Sequence, residues 1–149
     1  YTVDEAPHAA IPATETCMNC HSQVKPKSEL LAPVRESAAT GESIPWVKVH
    51  MLPDYAFFDH SLHMNAGVGC SSCHGRVDQM EVVRQDQPLS MGWCLECHRD
   101  SEPHVRPKEH ITTMDYLERF SEAERREVGK KLIVERGIDP PEHCSACHR

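Results

Sequence analysis

Large apolar side chains are scarce in this chain of 149 residues. Leucine, isoleucine, valine and phenylalanine together supply 28 residues, and aromatic residues make up only 5% of the chain. Combined with a formal net charge of −7, this composition is typical of chains that cannot bury enough apolar surface to fold by themselves. A conventional hydrophobic core is therefore excluded as the main source of stability.

Two further absences narrow the function classes. No stretch approaches the roughly 20 consecutive apolar residues that cross a bilayer, so no membrane span is predicted. Lys and Arg number 16 against 23 acidic residues, which is the wrong balance for a phosphate backbone, and no nucleic-acid partner is predicted. The acidic excess instead favours basic protein partners and an association rate that falls with salt.

Cysteine and histidine, by contrast, are abundant, with 8 and 11 residues. All of the cysteines fall into four copies of Cys-x-x-Cys-His, which are Cys17, Cys20 and His21; Cys70, Cys73 and His74; Cys94, Cys97 and His98; Cys144, Cys147 and His148. Paired cysteines can form a disulfide framework, zinc sites or covalent attachment sites for c-type haem. Only haem attachment needs a histidine directly after every second cysteine, so the pattern predicts four haem c groups.

The spacing has a chemical reason. Two thioethers hold the edge of the porphyrin, and the adjacent histidine is carried under the ring, where its nitrogen can bind the iron. The predicted proximal ligands are therefore His21, His74, His98 and His148. The likeness to c-type cytochromes implies an exported protein of the periplasm or the cell surface. No signal peptide is visible, so a mature or trimmed form is expected.

Six-coordinate irons would need distal ligands from the seven further histidines. His60 and His63 stand at i and i+3, a spacing that aims both rings to one side of a helical turn. Each ring could then reach a different iron, with the two haems packed close together. His50, in the segment WVKVH, is also predicted as a distal ligand.

The fourth distal ligand stays open among His8, His110 and Met114. His104, like His8 and His110, stands in a polar segment where unliganded histidines are common, and His143 directly precedes Cys144, which favours a surface role. Met91 could also supply a thioether. A methionine ligand would raise the reduction potential relative to histidine.

The predicted fold is mainly α with extensive loops, a single tetrahaem domain over residues 1–149 organised around four stacked haems. Residues 1–16 are predicted as an extended arm, a short helix is expected near Glu29 to Ser37, and residues 113–137 form a C-terminal helical segment. Its main helix starts at Ser121, where Glu124 completes a capping box, and ends near Arg136 before Gly137. No segment alternates as a strand would.

Several segments together resemble a known family: IPATETCMNCHSQV, the long IPWVKVHMLPDYAFFDHSLHMNAGVGCSSCHGRV, PLSMGWCLECHR and the terminal CSACHR. They are similar to the periplasmic pentahaem cytochrome subunit of alternative complex III, a bacterial quinol-oxidising membrane complex. The His-x-x-His pair also resembles that of class III and related multihaem cytochromes. In those families the first histidine usually serves the haem that follows, which implies His60 for the haem of Cys70 and Cys73, and His63 for another haem.

The family also carries a further N-terminal haem site with its own His-x-x-His pair and usually a membrane anchor. Neither is found in this sequence, so we expect a truncated product or a tetrahaem relative. At least one distal ligand would then come from elsewhere in the chain or from a second molecule.

Three functions follow from these sites. The first is an electron-transfer cytochrome without enzymatic activity of its own, because a bis-histidine haem has no open position for a substrate. Its donor would be an iron–sulfur or quinol-oxidising subunit, and its acceptor a soluble cytochrome or oxidase. The second is a subunit of a polymeric extracellular cytochrome filament, a nanowire of identical chains. The third is a multihaem reductase, which requires one five-coordinate haem.

Overall fold

Short helices separated by loops form residues 3–148, the part of the chain that a computed structural model describes. About half of these residues are helical. Extended pairing within them is limited to two isolated bridges, Ala56 with His148 and Val68 with Val105. The mainly α fold with extensive loops is thus confirmed. None of the helices in residues 3–148 has the length and apolarity needed to span a bilayer.

The first of two compact units comprises Ala9–Lys48. It contains α1 (Thr14–His21), a 3₁₀ turn (Glu29–Leu31) and α2 (Ala32–Thr40). The hydroxyls of Thr14 and Ser37 lie 2.7 Å apart and join the two helices. The sequence placed a helix near Glu29 to Ser37. The structure starts α2 later because Pro33 suits the first turn.

α1 begins inside the range that the sequence assigned to an extended arm, residues 1–16. Its N-cap residue, Ala13, offers no side-chain acceptor to the first turn. The usual sequence signal for a helix start is therefore missing at this position. Between residue 3 and residue 13 the described backbone contains turns and bends but no helix.

The second unit joins residues 3–8 to residues 49–148. Its helices are α3 (His60–Ala66), α4 (Cys70–His74), α5 (Met91–Arg99), α6 (Tyr116–Arg119), α7 (Glu122–Arg136) and α8 (Cys144–Cys147), with 3₁₀ turns at Val77–Gln79, Glu102–His104 and Lys108–His110. The single tetrahaem domain over residues 1–149 stays a prediction.

The core of the second unit lies next to the start of α4. Its buried apolar side chains are Val105, Ile111 and Tyr116. Val68 pairs with Val105, and the Cys70 amide donates to the Ile111 carbonyl at 3.0 Å. The backbone that leads into the second Cys-x-x-Cys-His motif is therefore held directly against this core.

Two helices lie in the C-terminal segment that the sequence analysis describes. α6 and α7 fall within residues 113–137, and Ser121 and Glu124 form the predicted capping box. α7 stops at Arg136 because Gly137 adopts a left-handed conformation, with φ of 62°. The helix packs against the turn Glu102–His104.

Candidate haem sites

All four Cys-x-x-Cys-His motifs form helical turns, in α1, α4, α5 and α8. A helical turn places residues i, i+3 and i+4 on one face, so the two sulfurs and the imidazole lie on the same side in the first three motifs. In the fourth motif α8 ends at Cys147, and His148 has an extended backbone, with φ of −114°. α4 begins after Gly69 and ends at His74, before Gly75, whose φ is 64°. α5 begins after Ser90, whose hydroxyl accepts from the Trp93 amide.

The sulfur atoms of all eight cysteines are free of disulfide bonds. Burial, together with the nearby thiols of Cys97 and Cys94, raises the pKa of Cys73 to about 11. Burial likewise raises the pKa of Cys97 to about 11. The second and third motifs therefore lie close together, as the short interval between them suggests. Within residues 3–148, no three His, Cys, Asp or Glu side chains converge to hold a metal ion by themselves.

Three of the four predicted proximal histidines share one hydrogen-bond pattern. The Nδ1 atom of His21 lies 3.0 Å from the Val24 carbonyl, that of His98 lies 2.7 Å from the Pro141 carbonyl, and that of His148 lies 3.2 Å from the Tyr55 carbonyl. A carbonyl oxygen can only accept, so Nδ1 carries the proton in each neutral ring. This leaves Nε2 with a lone pair, the usual state of a metal-binding histidine.

The predicted distal pair follows the same pattern. Asp59 caps α3 by accepting from the Ser61 amide at 2.8 Å, which starts the helix at His60. The Nδ1 atom of His63 donates to the Asp59 carbonyl at 2.7 Å, and that of His60 donates to the Pro7 carbonyl at 2.9 Å. Both Nε2 atoms are thus left as acceptors.

Two pairs of imidazoles face one another across a gap. The ring centroids of His60 and His74 lie 6.4 Å apart, with the planes 8° from parallel. Those of His63 and His98 lie 6.1 Å apart, at 42°. When one metal ion binds a ring nitrogen on each side at roughly 2 Å, the two ring centroids lie roughly 6 Å apart. The extra distance arises because each centroid lies behind its nitrogen by about half the width of the ring. Both pairs therefore fit two-sided axial coordination of a haem iron.

The environment of these rings favours the neutral, ligating form. Burial lowers the pKa of His63, and the imidazoles of His98 and His60 lower it further. Burial also lowers the pKa of His74, and His50 and His60 add to this effect. A neutral imidazole is the form that binds metal.

His50 lies too close to His74 to share an iron with it. Their ring centroids are 4.5 Å apart at 79°, and His50 Nε2 lies 3.3 Å from His74 Nδ1. His74 is thus the one proximal histidine whose Nδ1 faces another side chain among the described contacts. The ligand role of His50 stays a prediction, for an iron other than that of His74.

The candidates for the fourth distal ligand lie in different surroundings. His8 and His143 are exposed, whereas His104 and His110 are half-buried. His110 packs against Tyr116 and Phe120, at ring-centroid distances of 5.4 and 6.3 Å.

The methionine candidates also differ from each other. Met114 lines a cavity of about 370 Å³ together with Ser71 and Gly75 beside α4, while Met91 is 61% exposed. Met114 therefore lies in a cavity beside the second attachment motif, whereas Met91 is the first residue of the helix that carries the third motif.

The groups that orient these rings are not evident from the sequence. The acceptor carbonyls of Pro7 and Pro141 lie 53 and 43 residues from their histidines, and no local pattern announces such a contact. Arg106, which is buried against α4, was also missed. Gly67 and Gly69 could have indicated this contact, because a glycine often marks a close approach by another part of the chain.

Comparison with known proteins supports a multihaem cytochrome c. No family model matches the chain. Over 72 residues, or 48% of its length, it is 32% identical to the menaquinone reductase multihaem cytochrome c subunit of Nitratidesulfovibrio vulgaris. The aligned region spans 33% of that protein. The similarity thus agrees with the kind of protein that the four motifs predict, a c-type cytochrome with several haems.

Proposed function

We propose that this chain is a tetrahaem c-type cytochrome that transfers electrons in a periplasmic or cell-surface respiratory pathway. The observation that carries the proposal is the pair of facing imidazoles, His60 with His74 and His63 with His98, at 6.4 and 6.1 Å. Each pair joins a histidine of the His-x-x-His segment to the histidine of an attachment motif. Haem c at each motif supplies one-electron chemistry at its iron.

The residues of the chain would hold and orient this chemistry. Cys70 and Cys73 would attach one haem, and His74 and His60 would bind its iron. Cys94 and Cys97 would attach the next haem, and His98 and His63 would bind its iron. Because His60 and His63 share α3, the two haems would be held at a fixed separation by a single short helix.

The number of free positions on an iron decides whether it can bind a substrate or only transfer electrons. When two imidazoles occupy both faces of an iron, a small substrate has no free position, so electrons pass without bond formation at the metal. The Nδ1–H bonds to the Pro7, Asp59 and Pro141 carbonyls keep the rings oriented as the charge of the iron changes. This favours electron transfer over the multihaem reductase alternative.

We further propose that the chain works beside quinone-linked partner subunits. The resemblance to the cytochrome subunit of alternative complex III and the partial similarity to a menaquinone reductase subunit both support this role. The partners would be a quinol-oxidising or iron–sulfur donor and an acceptor cytochrome. With 23 acidic against 16 basic residues, the surface favours a basic acceptor.

The test is an intact mass of the native protein together with its visible spectrum. We expect a mass increase of four haems and only low-spin iron, with no change on adding cyanide or nitrite. Fewer than four haems would contradict the haem count. A high-spin component that binds nitrite would instead favour the reductase.

A further inference from the structure

Arg106 is a buried cation without a carboxylate partner among the described ion pairs. Its exposure is 1%, the lowest among the buried polar and charged residues. None of the salt bridges found in residues 3–148 involves it, and its Nε atom has no hydrogen-bond partner. Leaving a buried charge unpaired is costly. Such a charge calls for a compensating role.

The guanidinium lies against the second attachment motif. Its Nη2 atom donates to the Ser72 hydroxyl at 2.7 Å, and its Nη1 atom donates to the Ser71 hydroxyl at 3.3 Å and to the Thr113 carbonyl at 3.5 Å. Ser71 and Ser72 are the two residues between Cys70 and Cys73. Arg106 is therefore fixed against α4, between the two cysteines of the second motif.

The surrounding chain is shaped to admit this side chain. A Cβ atom at Gly69 would lie 2.2–2.4 Å from atoms of the guanidinium, so only glycine leaves room for it. The face of the Tyr116 ring lies 4.3 Å below Cζ, an arrangement that stabilises a cation. The Arg106 amide donates to the Gly67 carbonyl at 2.9 Å, which holds the backbone in place.

We infer that Arg106 is a positioning residue that raises the reduction potential of the haem attached at Cys70 and Cys73. The inference rests on the proposed function. Reduction lowers the charge of the iron by one, so a nearby buried cation favours the reduced state. Buried charges are weakly screened by solvent, and local net charge is one of the factors that set haem potentials.

The experiment compares midpoint potentials of the holoprotein by optical redox titration. Arg106→Gln removes the charge, Arg106→Met removes it while filling the same space, and Arg106→Lys retains it. Arg119→Gln is the matched control, because it removes the same charge at an exposed position paired with Asp115. We expect one of the four midpoint potentials to fall in both neutral variants, with little change in Arg106→Lys and Arg119→Gln.

Haem content, measured by the mass of the intact protein and of the peptide containing Cys70 and Cys73, accompanies each titration. Full haem content with unchanged potentials in the neutral variants would overturn the inference alone, whereas a wild-type protein without haem would overturn the proposed function as well. Haem loss at this site in both neutral variants, with full content in Arg106→Lys, would overturn the inference in favour of a role for the charge in haem attachment. Haem loss in all three variants would overturn the inference in favour of a steric role.

Discussion

Histidines in this protein differ in what their Nδ1 atoms contact. Five of the seven histidines predicted as proximal or distal ligands donate to backbone carbonyls, namely His21, His60, His63, His98 and His148. His110 and His143 face hydroxyls, of Thr113 and Ser145. A hydroxyl can donate or accept and so does not fix the tautomer. The carbonyl contacts therefore fix the tautomer at these five predicted ligands, whereas the contacts of His110 and His143 do not.

Loss of one distal histidine should alter one haem at a time. In His60→Ala we expect the haem of His74 to become high-spin, and in His63→Ala the haem of His98, because each iron loses its sixth ligand. The measurement is the absorption and magnetic circular dichroism spectrum, with the altered haem then titrated with cyanide.

The exposed His143 provides the control for these two substitutions. His143→Ala should leave all the haems low-spin. If His60→Ala and His63→Ala also kept a fully low-spin spectrum, the proposed axial pairs would be wrong.

Among the helices, α7 packs against the segment that leads to Arg106. A Cβ atom at Gly129 would lie 1.7 Å from the Glu102 carbonyl oxygen, so helix and turn touch through their backbones. Arg126 adds ion pairs to Asp100 and Glu102 on the same side. At the end of the helix, Arg136 donates to the Ala66 carbonyl at 3.2 Å. α7 thus supports both the turn at 102–104 and the approach to α4.

Gly129→Ala should separate α7 from this turn. The new methyl group would overlap the backbone carbonyl of Glu102, which cannot move aside as a side chain could. We therefore expect the free energy of unfolding to fall by about 1–3 kcal/mol or more, measured by denaturant titration of the holoprotein.

Gly92→Ala is the matched control, since Gly92 lies in α5 with nothing within 4 Å of its Cβ position. This control should be neutral or stabilise α5 by about 0.5–1 kcal/mol. Equal stability of the Gly129→Ala variant and the wild type would show that the close contact is not maintained in solution.

For the molecule as a whole, the polypeptide supplies little core of its own. Within residues 3–148 three hydrophobic side chains are buried, whereas exposed large ones occur in both units, with Leu30 at 90% and Val47 at 84%. The loss of conformational entropy opposes folding in proportion to chain length. Burial of this small core offsets only a little of that cost. Covalently held porphyrins would offer large apolar faces, so most core contacts are expected to be between side chains and haem.

A variant with all eight cysteines replaced by alanine should therefore be largely unfolded. We expect its far-ultraviolet circular dichroism to lose most of the native helix signal. α7, with 15 residues and a capping box, is the best candidate for residual structure, although isolated helices of this length are marginal.

Replacing only Cys144 and Cys147 gives an intermediate case for comparison. The other three attachment sites remain intact in that variant, so most of the helix signal should persist. Native helix content in the variant without any cysteine would show that the polypeptide folds without haem.

The sequence by itself determined the features that depend on neighbouring residues. The four Cys-x-x-Cys-His motifs, the His-x-x-His pair and the capping box of α7 are each contained within five residues, so local spacing defines them. The composition also indicated a small core and a mainly α fold with loops. The late start of α2 and the early start of α1 escaped prediction because their caps carry weak signals.

Only the tertiary structure decided which rings face each other and where a cation is buried. His60 meets His74, and His63 meets His98, because the carbonyls of Pro7 and Pro141 orient rings more than 40 residues away. Arg106 reaches the second motif because Gly67 and Gly69 let two segments of the chain touch. These contacts depend on long-range packing, which the order of residues along the chain does not reveal.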